Sequence, residues 1–409
     1  DDGHQDTLFG LHPAGEYVLS AAIAFLLVSR LWQKMTLLQS SQAGGLDAIG
    51  RILVFLLMWT FSGITVFLGR PFSDAYSSAK VFEKYTIACF WQCLAYARLY
   101  YYSPVIRRLW GRALLGELVL ELLLMFACAV AALVQGYANW NTTSHVLCCL
   151  GAFFSVYPFR LLCSGRTSLA HVVRTTHVHH NAERYGLMMI LVLGECFLQL
   201  TQAHGVFTHA EGLNHAAQDD VEATSFVLTL LAYVILCSFF WVYFDSHDPD
   251  AWAEHGAYLQ SLHLPMYFCV SAVAASLNRM LLQLNCAALR ISQGELHEHP
   301  SVPLPISFLF SGCLASAVFF QGLIAIVAVK HDGEAAGWWA PGTWLRLHGY
   351  NVLRSTLVLL IPLFAGLDGA SVTGLVGVAA TLSVAMVAVD VGGLKRLQES
   401  AAAAFGAVQ

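Results

Sequence analysis

Hydrophobic residues arrive along this chain in runs of about 17 to 25, separated by short polar stretches, and a run of that length crosses a bilayer as an α-helix. Eleven such runs are predicted, near residues 17–33, 52–69, 85–102, 114–134, 145–163, 185–203, 223–244, 264–284, 304–329, 350–367 and 371–391. Only Gly366 to Gly369 separate the last two, so they read as two crossings or one re-entrant hairpin. The longest polar segments, 202–222 and 285–303, are expected to be loops or short surface helices, and no internal repeat emerges. The expected fold is all-α, a polytopic transmembrane helix bundle of about eleven spans, with residues 1–409 forming a single integral membrane domain.

Charge along the loops orients the bundle. One set of alternate loops carries Lys34 and Arg51; Arg107, Arg108 and Arg112; Arg166 and Arg174; Lys330 and Arg346; and the tail adds Lys395 and Arg396. The opposite set carries Arg70, Lys80, Lys84 and Arg290. The excess of basic residues marks the first set as inside, which puts the N-terminus outside and the C-terminus inside. The sequon Asn141-Thr142-Thr143 then falls in an outside loop.

Composition narrows the class. Of 409 residues 57% are hydrophobic and 11% charged, and the mean hydropathy is +0.61, the profile of an integral, multi-pass membrane protein in contact with lipid. A net charge of −5 with 21 thinly spread Lys and Arg leaves no basic patch, so nucleic acid is excluded as a partner. The eleven cysteines sit in or beside apolar runs without a C-x-x-C pair, as small buried hydrophobes do. Residue 1 is Asp and not Met, so the chain reads as a processed or trimmed product. Aromatic residues at run edges, such as Tyr100, Tyr101, Tyr102 and Trp241, fit interfacial anchoring. No lysine lies well inside a predicted span, which disfavours a Schiff-base pigment, and no cofactor is indicated.

The chemistry concentrates where charged residues lead straight into an apolar run, from His180 through Glu183 and Arg184 to Gly194 and Glu195. At about 100° per residue these positions fall on one side of a helix. With hydrocarbon beginning near Tyr185, Glu195 lies roughly 15 Å deep in a core about 30 Å thick. A carboxylate there costs about 2.5 kcal/mol or more unless protonated, paired or wetted, so Glu195 is expected to face other helices.

The same residues carry a resemblance. His180-x-x-Glu183-Arg184-x-Gly186-Leu187 followed by Leu193-Gly194-Glu195 resembles the signature of the bacterial low temperature requirement A family, LtrA, whose members are polytopic membrane proteins. In the same order, Phe240-Trp241-x-Tyr243-Phe244-Asp245 is similar to the family's Trp-x-Tyr-Phe segment. Tyr258-x-x-x-x-His263-Leu264-Pro265 resembles its Tyr-x-x-x-His-Leu-Pro segment with one residue more in the spacer. Arg70-Pro-Phe-Ser-Asp74 resembles its Arg-Phe-x-x-Asp turn, and Ala97-Arg98-Leu99 its arginine-bearing span. The likeness runs from about residue 50 to 330, with additional spans over about 350–391. Two acids that the resemblance leads one to expect are replaced: Ser20 ends a Glu16-Tyr-Val-Leu-Ser20 segment where the family has aspartate, and Asn278 stands downstream of the His-Leu-Pro histidine. A proton or cation route that used either acid would be altered here.

The predicted threading places His180, Glu183, Arg184, Asp245 and His263 at one membrane face, with Arg98, Glu117 and Arg160 in the same layer and Glu121 one turn beyond Glu117. Opposite charges at one depth offset each other's burial cost. They read either as ion pairs that fix packing or as a polar vestibule leading to Glu195. Three functions follow. The first is a proton- or ion-coupled transporter or channel, since low dielectric penalises the charged form of a carboxylate. The second is a non-catalytic assembly subunit of a membrane complex, or a homo-oligomer, that binds lipids and partner helices. The third is a zinc hydrolase with His180, Asp245, His247 and His263 as ligands. No H-E-x-x-H or Cys-rich frame accompanies the histidines, including His171, His177, His179, His297 and His299, which reads against a specific metal site and against an enzyme.

Overall fold

The structure is a computed structural model that describes residues 25, 27–36, 48–68, 75–102, 104–138, 178–205, 215–245, 247, 249, 251–292, 304–333, 355–356, 358, 374–383 and 385. All the regular structure among them is helical. In chain order the helices are α1 (27–36), α2 (Ala48–Leu68), α3 (Ala75–Tyr102), α4 (Pro104–Ala138), α5 (Val178–Gly205), α6 (His215–Asp245), α7 (Ala251–Ser292), α8 (Leu304–Gly333) and α9 (Gly374–Ser383). Four contain stretches long and apolar enough to cross a membrane: Ala182–Thr201 in α5, Ser225–Phe244 in α6, Leu259–Leu282 in α7 and Ile306–Val327 in α8. Shorter apolar stretches occupy Ala48–Ile64, Glu121–Leu133 and Gly374–Ser383. The span expected over 145–163, the segment Glu16–Ser20 and Arg160 lie outside the described residues.

Local chemistry explains several ends. Pro104 opens α4, where its missing N–H costs nothing and its fixed φ suits the first turn, and α8 runs from Leu304 with Pro305 in its first turn to Gly333. Pro265 lies inside α7, where it withholds one rung of the backbone ladder and leaves the Ser261 carbonyl without its helical donor.

The chain divides into two compact units, Asp1–Asn181 with Trp252–Ala257, and Ala182–Ala251 with Tyr258–Gln409. In the first, α3 packs against α2 and α4. Its core residues recur at helical spacing, with Phe82, Tyr85 and Cys89 on α3, Leu124, Cys128 and Ala131 on α4, and Leu27 and Leu31 on α1. The opposite faces are apolar too: Phe55, Met58 and Trp59 on α2 and Leu122, Leu123, Phe126 and Leu133 on α4 are exposed. Helices greasy on both the packed and the open side are suited to lipid.

The second unit shows the same two-sidedness, with Leu191, Phe226, Leu230, Trp241 and Phe308 exposed. Hydrocarbon cannot drive such helices together, so small residues and hydrogen bonds carry the packing. Ala182, Ala232, Ala274 and Ala317 are buried, and so are Ser225, Thr229, Ser276 and Ser311. Thr229 donates to the Ser225 carbonyl at 2.8 Å and Ser276 to the Ala272 carbonyl at 2.9 Å, so these hydroxyls are satisfied within their own helices. Gln321 reaches further: its Nε2 donates to the Phe239 carbonyl at 3.1 Å and ties α8 to α6.

Candidate functional site

In the second unit the motif segments of α5, α6 and α7 meet around His263, which is fully buried. His263 Nδ1 lies 2.6 Å from the Leu259 carbonyl, which can only accept, so in the neutral ring Nδ1 carries the hydrogen. Nε2 is then the acceptor, and the Tyr243 hydroxyl donates to it across 3.0 Å. The Tyr267 hydroxyl donates to the Tyr185 carbonyl at 2.6 Å, and His247 Nε2 donates to the Ala182 carbonyl at 3.2 Å. Tyr185, Tyr243 and Tyr267 set their rings edge-on to the His263 imidazole at centroid distances of 5.3, 5.5 and 5.7 Å, and Tyr243 stacks on His247. Gly186 on α5 faces Phe244 on α6, and a Cβ there would stand 3.5 Å from that ring, an ordinary contact.

Other expected residues are placed differently. His180 and Arg184 are half-buried at the start of α5, and Glu183 is exposed. The side chain of Asp245, at the end of α6, lies outside the described residues. Glu195 departs from expectation most. It is exposed, and its Oε1 accepts a hydrogen bond from Gln199 Nε2 at 3.2 Å one turn on. The buried side of α5 is the row Ala182, Tyr185, Met189, Val192, Cys196 and Leu200. It is held to α7 by Tyr267 and by the Cys196 thiol, 3.9 Å from the Val270 carbonyl. Gly194 and Glu195 therefore turn away from the side of α5 that packs on α7.

The first unit holds a second centre. Glu121, fully buried on α4, accepts from Arg30 Nη2 at 2.6 Å, and Lys34 Nζ lies 3.5 Å from the same oxygen. Arg30 Nη1 donates to the Tyr85 hydroxyl at 3.0 Å, and the Lys34 ammonium stands 5.5 Å from the centre of the Tyr96 ring. Glu121 Oε2, Arg30 Nε and both amide atoms of Gln92 are buried without a hydrogen-bond partner among the described residues. Arg98 is half-buried on α3, and Glu117 lies on α4 with its side chain outside the described residues.

Lys34, expected in a loop, is instead 3% exposed and buried against Glu121. The sequence reading missed Arg30 altogether. The available signal was an arginine within an apolar run, four residues and thus one turn before Lys34. In the first turns of α3, half-buried Lys80 donates to Glu83 at 2.6 Å and holds its carboxyl below the usual carboxylate range.

Of the four residues expected to hold zinc, the Asp245 side chain lies outside the described residues. No group of three or more His, Cys, Asp or Glu among the described residues could hold a metal, and both nitrogens of His263 are engaged by Leu259 and Tyr243.

No curated protein and no solved structure matches the chain. A family described as bacterial low temperature requirement A protein (LtrA) matches residues 7–391, well beyond the segment that carries the recognisable motifs. With several apolar helices of membrane-crossing length and a family match over nearly its whole length, the chain is a multi-pass integral membrane protein and belongs to the LtrA family.

Proposed function

We propose that the protein is an ion-coupled membrane carrier or channel that moves protons or small cations past Glu121, through a bundle of eleven spans with the N-terminus outside and the C-terminus inside. The observation that carries this reading is the state of the Glu121 carboxylate. One oxygen is shared by Arg30 and Lys34, and the other is buried with no hydrogen-bond partner among the described residues. Two cations competing for one oxygen, beside an oxygen with unspent accepting capacity, form an arrangement in which an arriving proton or cation can displace an internal partner. The unspent amide of Gln92, on the helix that also bears Tyr85, adds a donor and an acceptor of the kind an ion needs when it sheds water.

The threading draws support from the second unit. The start of α5, the end of α6 and the His263 region of α7 are joined by hydrogen bonds, as three successive crossings require. The test is flux in proteoliposomes loaded with a pH-sensitive dye, under proton, sodium and potassium gradients in turn. Wild-type protein is expected to dissipate at least one gradient and Glu121→Gln to lose that flux. Absence of flux under every gradient overturns the proposal.

A second reading, a non-catalytic subunit that holds partner helices and lipid, is favoured by one observation: Glu195 and Gln199 lie on the open apolar side of α5. Ser20 and Asn278, standing where the family has acids, point the same way.

A further inference from the structure

The turn between α3 and α4 concentrates positive charge. From Tyr85 to Gly116 the sequence carries Arg98, Arg107, Arg108 and Arg112 and no aspartate or glutamate. Ser103 alone separates the two helices, and α3 packs on α4, so the end of one lies against the start of the other. A Cβ on Gly111 would stand 3.6 Å from Tyr100 and 3.8 Å from the Arg107 stem, which sets that arginine beside the last turn of α3. Tyr101 and Tyr102 are 75% and 80% exposed, and Arg107 and Arg108 are exposed as well. Guanidinium forks match the oxygens of a phosphate, and tyrosines settle at the level of lipid headgroups. Arg108 also heads a stripe on one side of α4 that continues through Leu115, Val119 and Leu122, all exposed and spaced by seven, four and three residues. The rise from Arg108 to Leu122 is about 21 Å, half of a bilayer about 40–45 Å thick with its headgroups.

We propose that this side of α4 is a docking site for an anionic phospholipid, its phosphate on Arg107 and Arg108 and an acyl chain along Leu115, Val119 and Leu122. Cations placed over an apolar track one leaflet long match the two ends of such a molecule, whereas a free phosphate would use only the upper end. The headgroup must be net negative, because a choline headgroup would bring a further cation to a turn with four arginines and no acid of its own. Glu121 lies off this stripe, buried against Arg30, so the site is separate from the charged centre and stands whether or not the bundle carries ions.

The test offers the full chain, in an uncharged detergent, equal amounts of phosphatidylglycerol and phosphatidylcholine with the same acyl chains, and reads retained lipid by native mass spectrometry. Wild-type protein is expected to retain phosphatidylglycerol in preference. Arg107→Gln with Arg108→Gln is expected to raise the dissociation constant for phosphatidylglycerol roughly thirtyfold, while the melting temperature in phosphatidylcholine holds because both side chains are exposed. Arg107→Lys with Arg108→Lys keeps the charge and is expected to restore most of the preference, which separates loss of the site from loss of the fold. Inorganic phosphate and glycerol phosphate, which lack acyl chains, are expected not to displace the lipid. Equal retention of the two lipids, displacement by either chain-free phosphate, an acidic protein seated on α4 in place of lipid, or undiminished retention by the glutamine pair would each overturn the proposal.

Discussion

Glu121 and Arg30 are each tolerable in apolar surroundings because the other is 2.6 Å away. Glu121→Gln leaves the Arg30 cation buried without its counter-charge and is expected to destabilise the protein by about 3–5 kcal/mol, seen as a large fall in the melting temperature in detergent. Replacing all three members by apolar residues, Arg30→Met and Lys34→Met with Glu121→Leu, is expected to recover most of that stability, because no stranded charge remains. If the fold returns while flux does not, the pair serves transport and not only packing.

In the first turns of α3, where Lys80 and Glu83 are half-buried, the effect is smaller and follows pH. The folded state holds the Glu83 carboxyl below its unfolded value, so the Lys80 pairing adds stability above the unfolded pKa of about 4.3 and loses it as pH falls through the lower folded value. The two side chains are 33% and 42% exposed, so solvent screens the pair to a fraction of a kcal/mol. Melting of wild type against Glu83→Gln is expected to differ slightly at pH 7 and to converge below about pH 4.

Among the helices, α5 and α6 meet where Gly186 faces Phe244. The 3.5 Å from a Cβ to Phe244 is an ordinary contact, so Gly186→Ala is expected to be neutral or to stabilise by up to about 1 kcal/mol through helix propensity. Gly186→Leu must push Phe244 aside and is expected to cost about 1–3 kcal/mol, read as opposite shifts of the melting temperature for the two variants.

The existence of α5, α6, α7 and α8 was legible in the apolar runs, and His263 and Tyr243 stood out within their motif segments, whereas Tyr185 and Tyr267, which the structure sets against His263, did not. Which side of α5 is covered was not legible. In a membrane helix Leu191, open to lipid, and Val192, buried, are equally apolar, so periodicity shows which residues share a side and leaves open which side is packed. The Arg30–Glu121 pair was illegible for another reason: 91 residues separate the partners, and no local rule joins them. Glu121 was singled out one turn beyond Glu117, but its partner Arg30, an arginine in an apolar run, was not.

For the molecule as a whole, the alternation of crossings makes a prediction of sidedness. Cysteines introduced at Gly205, the end of α5, and at Pro249, between α6 and α7, are expected to react with a membrane-impermeant maleimide from opposite sides of sealed vesicles, above the wild-type background. Reaction of both from the same side would undo the eleven-span threading.

The two units also divide their chemistry, with the charged centre in the first and the neutral imidazole and tyrosine centre in the second. Pro265 gives the latter a mechanical character. A helix missing one rung bends there at small cost, and the weak point falls two residues from His263, whose ring α6 grips through Tyr243. Flexing α7 at this joint therefore loads the phenol–imidazole bond to α6 together with the Tyr267 bond to the Tyr185 carbonyl of α5. Amides next to the joint should exchange with deuterium sooner than those nearer either end of the span.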